Sequence, residues 1–233
     1  MAEEGTDHSE RVVSRRAASA GRGTRRRDPK RSQRAILDAA EQVFAQQGYD
    51  GASLAGIGEQ AGVSAALPAY FFGDKAQLYE HVTQRLFADR DKALGSLADA
   101  ALSELDGTRD GVRRGLNCLV SGYLGFLVDR PQFVQLMARD ALDYRRIGRA
   151  EFPRHSTVFE QGVQRFLARI NTPQGPAVDS DQLLVSIVAL CFFPLEHDTT
   201  MLAGMGYRTR SKGFIDRRTE HVVDLLMRAL TPG

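Results

Sequence analysis

The chain has 233 residues, 42% of them hydrophobic, enough for one or two domains with a packed core. Its two cysteines, Cys118 and Cys191, lie far apart in apolar patterns, which excludes a disulfide scaffold and fits a reduced, cytoplasmic protein. The formal charge of +2 hides an asymmetry: between Arg11 and Arg34 ten basic residues face only Asp28, so that segment is about +9 and the remainder of the chain about −7. The longest apolar run, Leu183 to Leu195, is interrupted by Ser186 and Pro194 and is too short to span a bilayer, and no stretch resembles a secretory leader.

Residues 1–28 offer almost nothing to bury, and this composition predicts a disordered, Arg-rich arm. Arg25, Arg26 and Arg27, with Lys30 just beyond, can reach a phosphate backbone or a minor groove beside a bound site. The alternative is a solvated tail that aids solubility. From Lys30 to Gln47 the residues Ile36, Ala40, Val43 and Phe44 follow the i, i+4, i+7, i+8 pattern of an amphipathic helix, which Gly48 can end.

The stretch Ser53 to Lys75 reads as a helix-turn-helix followed by the start of a long helix. Ser53 caps the first short helix, whose Ala55, Ile57 and Ala61 leave room for a close crossing, and Gly62 permits the turn. Ser64 is expected to cap the second helix, which carries Leu67, Tyr70, Phe71 and Phe72. A major groove can receive a helix so placed, although an ordinary helical hairpin has the same spacing. Ala65, Ala66 and Ala69 can approach thymine methyls but cannot form bidentate hydrogen bonds with bases. Pro68, about one turn in, predicts a late or irregular helix start.

Asp74 and Gln77 form a variant capping box for a helix that carries Leu78, Val82 and Leu86 and runs to about Asp106. Lys75 stands at its first position, where the helix dipole is already positive. A neighbouring phosphate turns that repulsion into attraction, so Lys75 is a candidate anchor for a duplex backbone. Further helices are expected from near Thr108 to Arg130, from Pro131 onward, from about Phe152 or His155 to Ile170, from about Ser180 to Met205 with Pro194 kinking it or ending its first half, and from about Ile215 to Leu230.

The last two carry more apolar surface than one bundle needs. Leu183 to Phe193 is apolar nearly all round, and Val222, Leu225, Leu226 and Ala229 share a face, as in paired helices of a subunit interface; a monomeric core helix with its cover is the alternative. Phe126, Met137, Phe159, Phe193 and His197 are candidate pocket residues from their aromatic and Met character, although core packing accounts for the same residues. The five histidines are scattered, and no phosphate loop, metal spacing or Ser, His and acid grouping stands out. Neither an enzyme nor a cofactor is expected.

Residues 32 to 79, with AILDAAEQVFAQQGYDGAS, LAGIGEQAGVS and AYFFGDKAQLY in that order, resemble the TetR family of bacterial transcriptional regulators. The resemblance implies an all-α fold: a helix-turn-helix DNA-binding domain over 29–73, after the arm, and a larger helical ligand-binding and dimerisation domain over 74–233. It implies phosphate contact by Lys75 and backbone contacts by Tyr70 and Ser53, and it places Ser64, Ala65, Ala66 and Ala69 on the reading helix. Ala65, Pro68 and Ala69 depart from the family's usual residues. The implied protein is a cytoplasmic homodimeric repressor, binding a palindromic double-stranded DNA operator and released by a small-molecule effector. The competing expectation is a helical ligand-binding or scaffold protein whose hairpin does not read DNA.

Overall fold

The computed structural model describes residues 28–146, 158–170 and 179–230. Those residues form helices and no strand: α1 (Pro29–Gly51), α2 (Leu54–Gln60), α3 (Leu67–Phe72), α4 (Lys75–Ser103), α5 (Arg109–Asp129), α6 (Pro131–Arg146), α7 (Val158–Ile170), α8 (Ser180–Glu196), α9 (Met201–Gly204) and α10 (Lys212–Leu230). The expected arm, with Arg25, Arg26 and Arg27, lies outside the described residues, as do the residues 152–157 where the fourth body helix was expected to begin. Asp28 is described and caps α1, its side chain accepting from the Lys30 amide at 3.0 Å.

Ile36, Ala40, Val43 and Phe44 are buried along α1 as their spacing predicts. Gly48, at φ 75°, breaks the helical path before the final turn, as only glycine does readily. That end of α1 carries no cation of its own. Other helices supply two: Arg139 of α6 donates to the Gln46 carbonyl at 3.2 Å, and Lys75 of α4 donates to the carbonyls of Tyr49 and Ala52 at 2.9 and 3.1 Å. Cations at a helix C-terminus oppose its negative dipole end, so these contacts fasten α1 to both elements.

The capping box forms as expected: the Gln77 amide donates to Asp74 at 2.8 Å, and the Asp74 amide donates to the Gln77 side chain at 3.0 Å. The 29-residue α4 then serves two neighbourhoods. Leu78, Tyr79 and Val82 join Ile36, Phe44 and Ile57, while Leu94, Ala98 and Ala101 pack into the body, and one continuous core links them. The Phe44 ring stacks on Tyr49 and meets Tyr79 edge-on, with centroids 6.2 and 5.0 Å apart. Packing of the first three helices therefore extends past Gly73 into α4.

Three points of the late helices bear on the expectation. α8 stops at Glu196, so Pro194 ends the first half of the expected helix, and α9 is a separate single turn. Pro194 supplies the reason: it has no amide to give the Leu190 carbonyl, which instead accepts two hydrogen bonds from Arg218 of α10, at 2.9 and 2.7 Å. Second, α8 is not buried on several sides of the single chain. Leu183, Ile187, Cys191 and Leu195 make one buried stripe, while Val185 is 60% and Phe193 42% exposed. Third, α10 turns Val222, Val223, Leu226 and Met227 inward, leaving Leu225 and Ala229 outside the buried set. Val222 and Leu226 thus separate from Leu225 and Ala229, because the inward stripe follows i, i+4 and i+1, i+5 positions.

Both cysteines are free thiols. Burial pushes Cys191 up to about 12 and raises Cys118, with the charge of Glu104 adding to the latter, so neither thiol is poised for redox chemistry.

Candidate DNA interface and effector groove

α2 and α3 cross at a point set by Gly58. A Cβ there would lie 2.9 Å from the Ser64 carbonyl oxygen and 3.1 Å from the Ala65 Cα, so only glycine lets the two segments approach this closely. Gly62, at φ 66°, turns the chain, and the Val63 amide donates back to the Gly58 carbonyl at 2.9 Å. Gly58, more than the expected Ala55, Ile57 and Ala61, therefore sets the crossing, and a glycine inside a helical stretch is the signal for it in the sequence.

Ser53 caps α2, accepting from the Gly56 amide at 3.1 Å. Ser64 does not cap α3. The helix begins at Leu67 with Ala66 before it and no side-chain cap, and the Ser64 carbonyl instead accepts from the Leu67 amide at 3.0 Å. Pro68 explains the late start: in the first turn its missing amide is no loss, whereas a helix begun at Ala65 would leave a carbonyl without its donor. Pro68 is itself buried, against the Gly58 side of the crossing.

This arrangement leaves Ser64, Ala65, Ala66, Ala69 and Tyr70 exposed together, with Ser53 and Lys30 also exposed. Tyr70 is 79% exposed, the largest value among the exposed large apolar side chains described. Its ring meets Phe71 edge-on at 5.2 Å, and Phe72 packs against His81 at 5.3 Å. Lys75 is different: its ammonium lies 4.4 Å from the Tyr49 ring centroid as well as on two carbonyls. The helix start that looked electrostatically unfavourable is offset inside the protein, by the carbonyl end of α1.

A crevice of about 740 Å³ separates α1 from α4 and α6. Charged groups that satisfy each other dominate it: Arg85 of α4 donates to Asp38 and Glu41 of α1 at 2.6 and 2.5 Å. Burial works against the Arg85 charge, but these hydrogen bonds outweigh it and raise its pKa. A smaller groove of about 520 Å³ lies among α4, α5, α6, α7 and α8. Tyr123, Phe133, Leu184, Val188, Phe192 and Phe193 give it apolar walls, with Arg90, Glu160 and Glu196 among its polar lining. Such walls with few polar groups suit a small organic ligand better than the salt-bridged crevice does.

Of the expected pocket residues, Phe193 lines this groove. Phe126 stands behind it, its ring 5.2 Å from that of Phe133. Met137 packs against the core away from the lining, and His197 ends α8, next to the Thr200 hydroxyl at 3.3 Å and against the Phe193 ring at 4.5 Å. The Phe159 side chain is outside the described residues. Tyr123, Leu184, Val188 and Phe192 were missed, because helical spacing does not say which of several apolar stripes borders a void.

A surface-presented helix-turn-helix fastened by a long helix to an all-helical body defines a DNA-binding regulator. Residues 36–82 match the model of the bacterial regulatory proteins of the TetR family, and residues 113–226 match a tetracyclin repressor-like C-terminal domain. The chain belongs to the TetR family of bacterial transcriptional regulators. Solved structures share its fold. A Mesorhizobium loti protein assigned to the TetR-family transcriptional regulators is 22% identical, with TM-score 0.61 over 86% of this chain and 96% of that one. A TetR-like transcriptional regulator from Rhodococcus sp. RHA1 is 18% identical, with TM-score 0.57 over 87% and 97%. The transcriptional regulator FadR from Bacillus subtilis, in complex with stearoyl-CoA, is 14% identical, with TM-score 0.59 over 85% and 100%. No curated protein matches the sequence. Among the described residues no helix is long and apolar enough to cross a membrane.

Proposed function

We propose that this regulator is a homodimeric repressor that holds a palindromic operator with two copies of α3 and leaves it when a small molecule occupies the groove of the body. The observation that carries the reading is the exposed face of Ser64, Ala65, Ala66, Ala69 and Tyr70, kept clear of the core by the Gly58 crossing and bordered by Ser53 and Lys30. Small side chains let α3 enter a major groove deeply, while Tyr70, Ser53 and the third N–H of Lys75 serve the phosphates on either side. Arg25, Arg26 and Arg27 extend the contact along the backbone, and DNA shape supplies part of the specificity.

The exposed apolar side chains of α8 and α10, Val185, Phe193 and Leu225, favour pairing with a second copy through these helices. The groove borders α4 through Arg90, and α4 also carries Lys75, so a ligand that prefers one placement of α4 shifts the population of DNA-competent dimers. The stearoyl-CoA in the Bacillus FadR structure is the analogy for an effector with a long apolar part.

Titration of the full chain against the duplex upstream of its own gene and against random duplex, at several salt concentrations, tests the reading. Specific binding at least about 10³-fold tighter than random is expected. Equal affinity for both at every salt concentration overturns the repressor and leaves the helical ligand-binding alternative.

A further inference from the structure

We propose that the body groove selects a cationic amphiphile, an apolar molecule ending in an amine or quaternary ammonium. The proposal rests on reading this groove as the effector site. Its walls are rich in aromatic rings, those of Tyr123, Phe133, Phe192 and Phe193, whose faces attract cations as well as apolar groups. The charged lining among the described residues is Arg90, Glu160 and Glu196. Arg90 is already engaged: its Nε and an Nη donate to Asp91 at 3.0 and 2.7 Å, and its guanidinium lies 4.8 Å from the Phe87 ring centroid.

The two carboxylates are not neutralised in the same way. Among the described residues Glu196 has only the His197 ring, 3.9 Å away, as an ionic partner, and Glu160 forms no ion pair. The Glu196 side chain is 31% exposed, and Glu160 is also half-buried, so both charges act at the edge of a low-dielectric lining where screening is incomplete. A carboxylate or phosphate headgroup entering here meets two like charges and a guanidinium already paired with Asp91. An ammonium group meets two acceptors and several aromatic faces.

Binding of decyltrimethylammonium, decanol and decanoate to the full chain, by calorimetry at low salt and below micelle formation, separates charge from apolar contact. The cation is expected to bind about tenfold tighter than the anion, the size of two partly screened ion pairs, with decanol between them. The preference should collapse in the variant E160Q/E196Q while decanol affinity stays unchanged. Decanoate binding as tightly as the cation, or a preference untouched by E160Q/E196Q, overturns the charge assignment. A189W distinguishes the underlying reading: Ala189 borders the groove and is exposed, so added bulk there obstructs the ligand and spares the core. If A189W weakens all three probes but their order is reversed, only the cation proposal falls. If no probe binds, or A189W changes nothing, the groove is not the effector site and both readings fall.

Discussion

The two ends of the molecule present opposite surfaces. Around α2 and α3 the exposed face is made of alanines and serines with one large ring, Tyr70, whereas from α8 onward Val185, Phe193, Met201, Met205, Tyr207 and Leu225 are all exposed. The internal bonding contrasts too. Carbonyls at the kinked end of α1 are met by Lys75 and Arg139, cations borrowed from other helices, and the carbonyl left by Pro194 in α8 is met by Arg218. Both ends therefore secure an irregular backbone with a long cation, yet one is left with a small-residue polar face and the other with an apolar one. A duplex suits the first surface, and a second copy of the chain suits the second.

The contrast is broken most severely by hollowing out the first end. Phe44 is fully buried between Tyr49 and Tyr79, and Phe44→Ala should cost about 3–5 kcal/mol in chemical denaturation of the chain, with DNA affinity falling alongside. A loss below 1 kcal/mol would show that α1 does not organise the reading surface. Leu225→Asp attacks the other end. Leu225 is 39% exposed in the single chain, so the protomer's own stability should move by no more than about 0.5 kcal/mol. If α10 pairs across a dimer, a charge there should cost association about 2 kcal/mol or more, and the mass by sedimentation should halve at low micromolar concentration. An unchanged dimer moves the interface elsewhere.

Next comes the repair at Pro194. Arg218→Met should destabilise by about 1–3 kcal/mol, because the Leu190 carbonyl loses both its donors. Adding Pro194→Ala restores an amide at the right position, and the double variant should recover most of that loss. If the two changes simply add, Arg218 matters for some other contact.

What the sequence disclosed follows the range of the forces involved. The α1 stripe, the Asp74 capping box, the start of α5 near Thr108 and the Pro131 helix start were all legible, because each depends on residues within about one turn. Ser64 does not act as the expected cap, since the position of Pro68 fixes where this short helix can begin and outranks a nearby hydroxyl. The pairing of Arg218 with Leu190 and the groove beside Phe192 were not legible. Each is a contact between segments remote in sequence, and periodicity within one helix does not encode which neighbour it meets. The outward turn of Leu225 and Ala229 belongs to the same class: an apolar pattern shows that a face seeks cover, and only the packed chain shows that α10 has more than one such face.

The smallest effect falls on Lys75. Two of its three ammonium hydrogens are committed to Tyr49 and Ala52, at 2.9 and 3.1 Å, and its charge stands above the Tyr49 ring. Lys75→Met keeps most of the stem against that ring and removes the donors, so the fold should lose up to about 1 kcal/mol. If the remaining hydrogen also serves a phosphate, affinity for every duplex should weaken and the log–log salt slope should become shallower by about one. A stability loss with an unchanged slope would make Lys75 a fastening for α1 alone, and the phosphate grip would then rest on Tyr70, Ser53 and the arginines before Asp28. A changed slope with unchanged stability would mean that the α1 carbonyls find water as readily as Lys75. Joint loss of both is the result the geometry favours, because the same ammonium that closes α1 sits at the start of the helix leading to the groove.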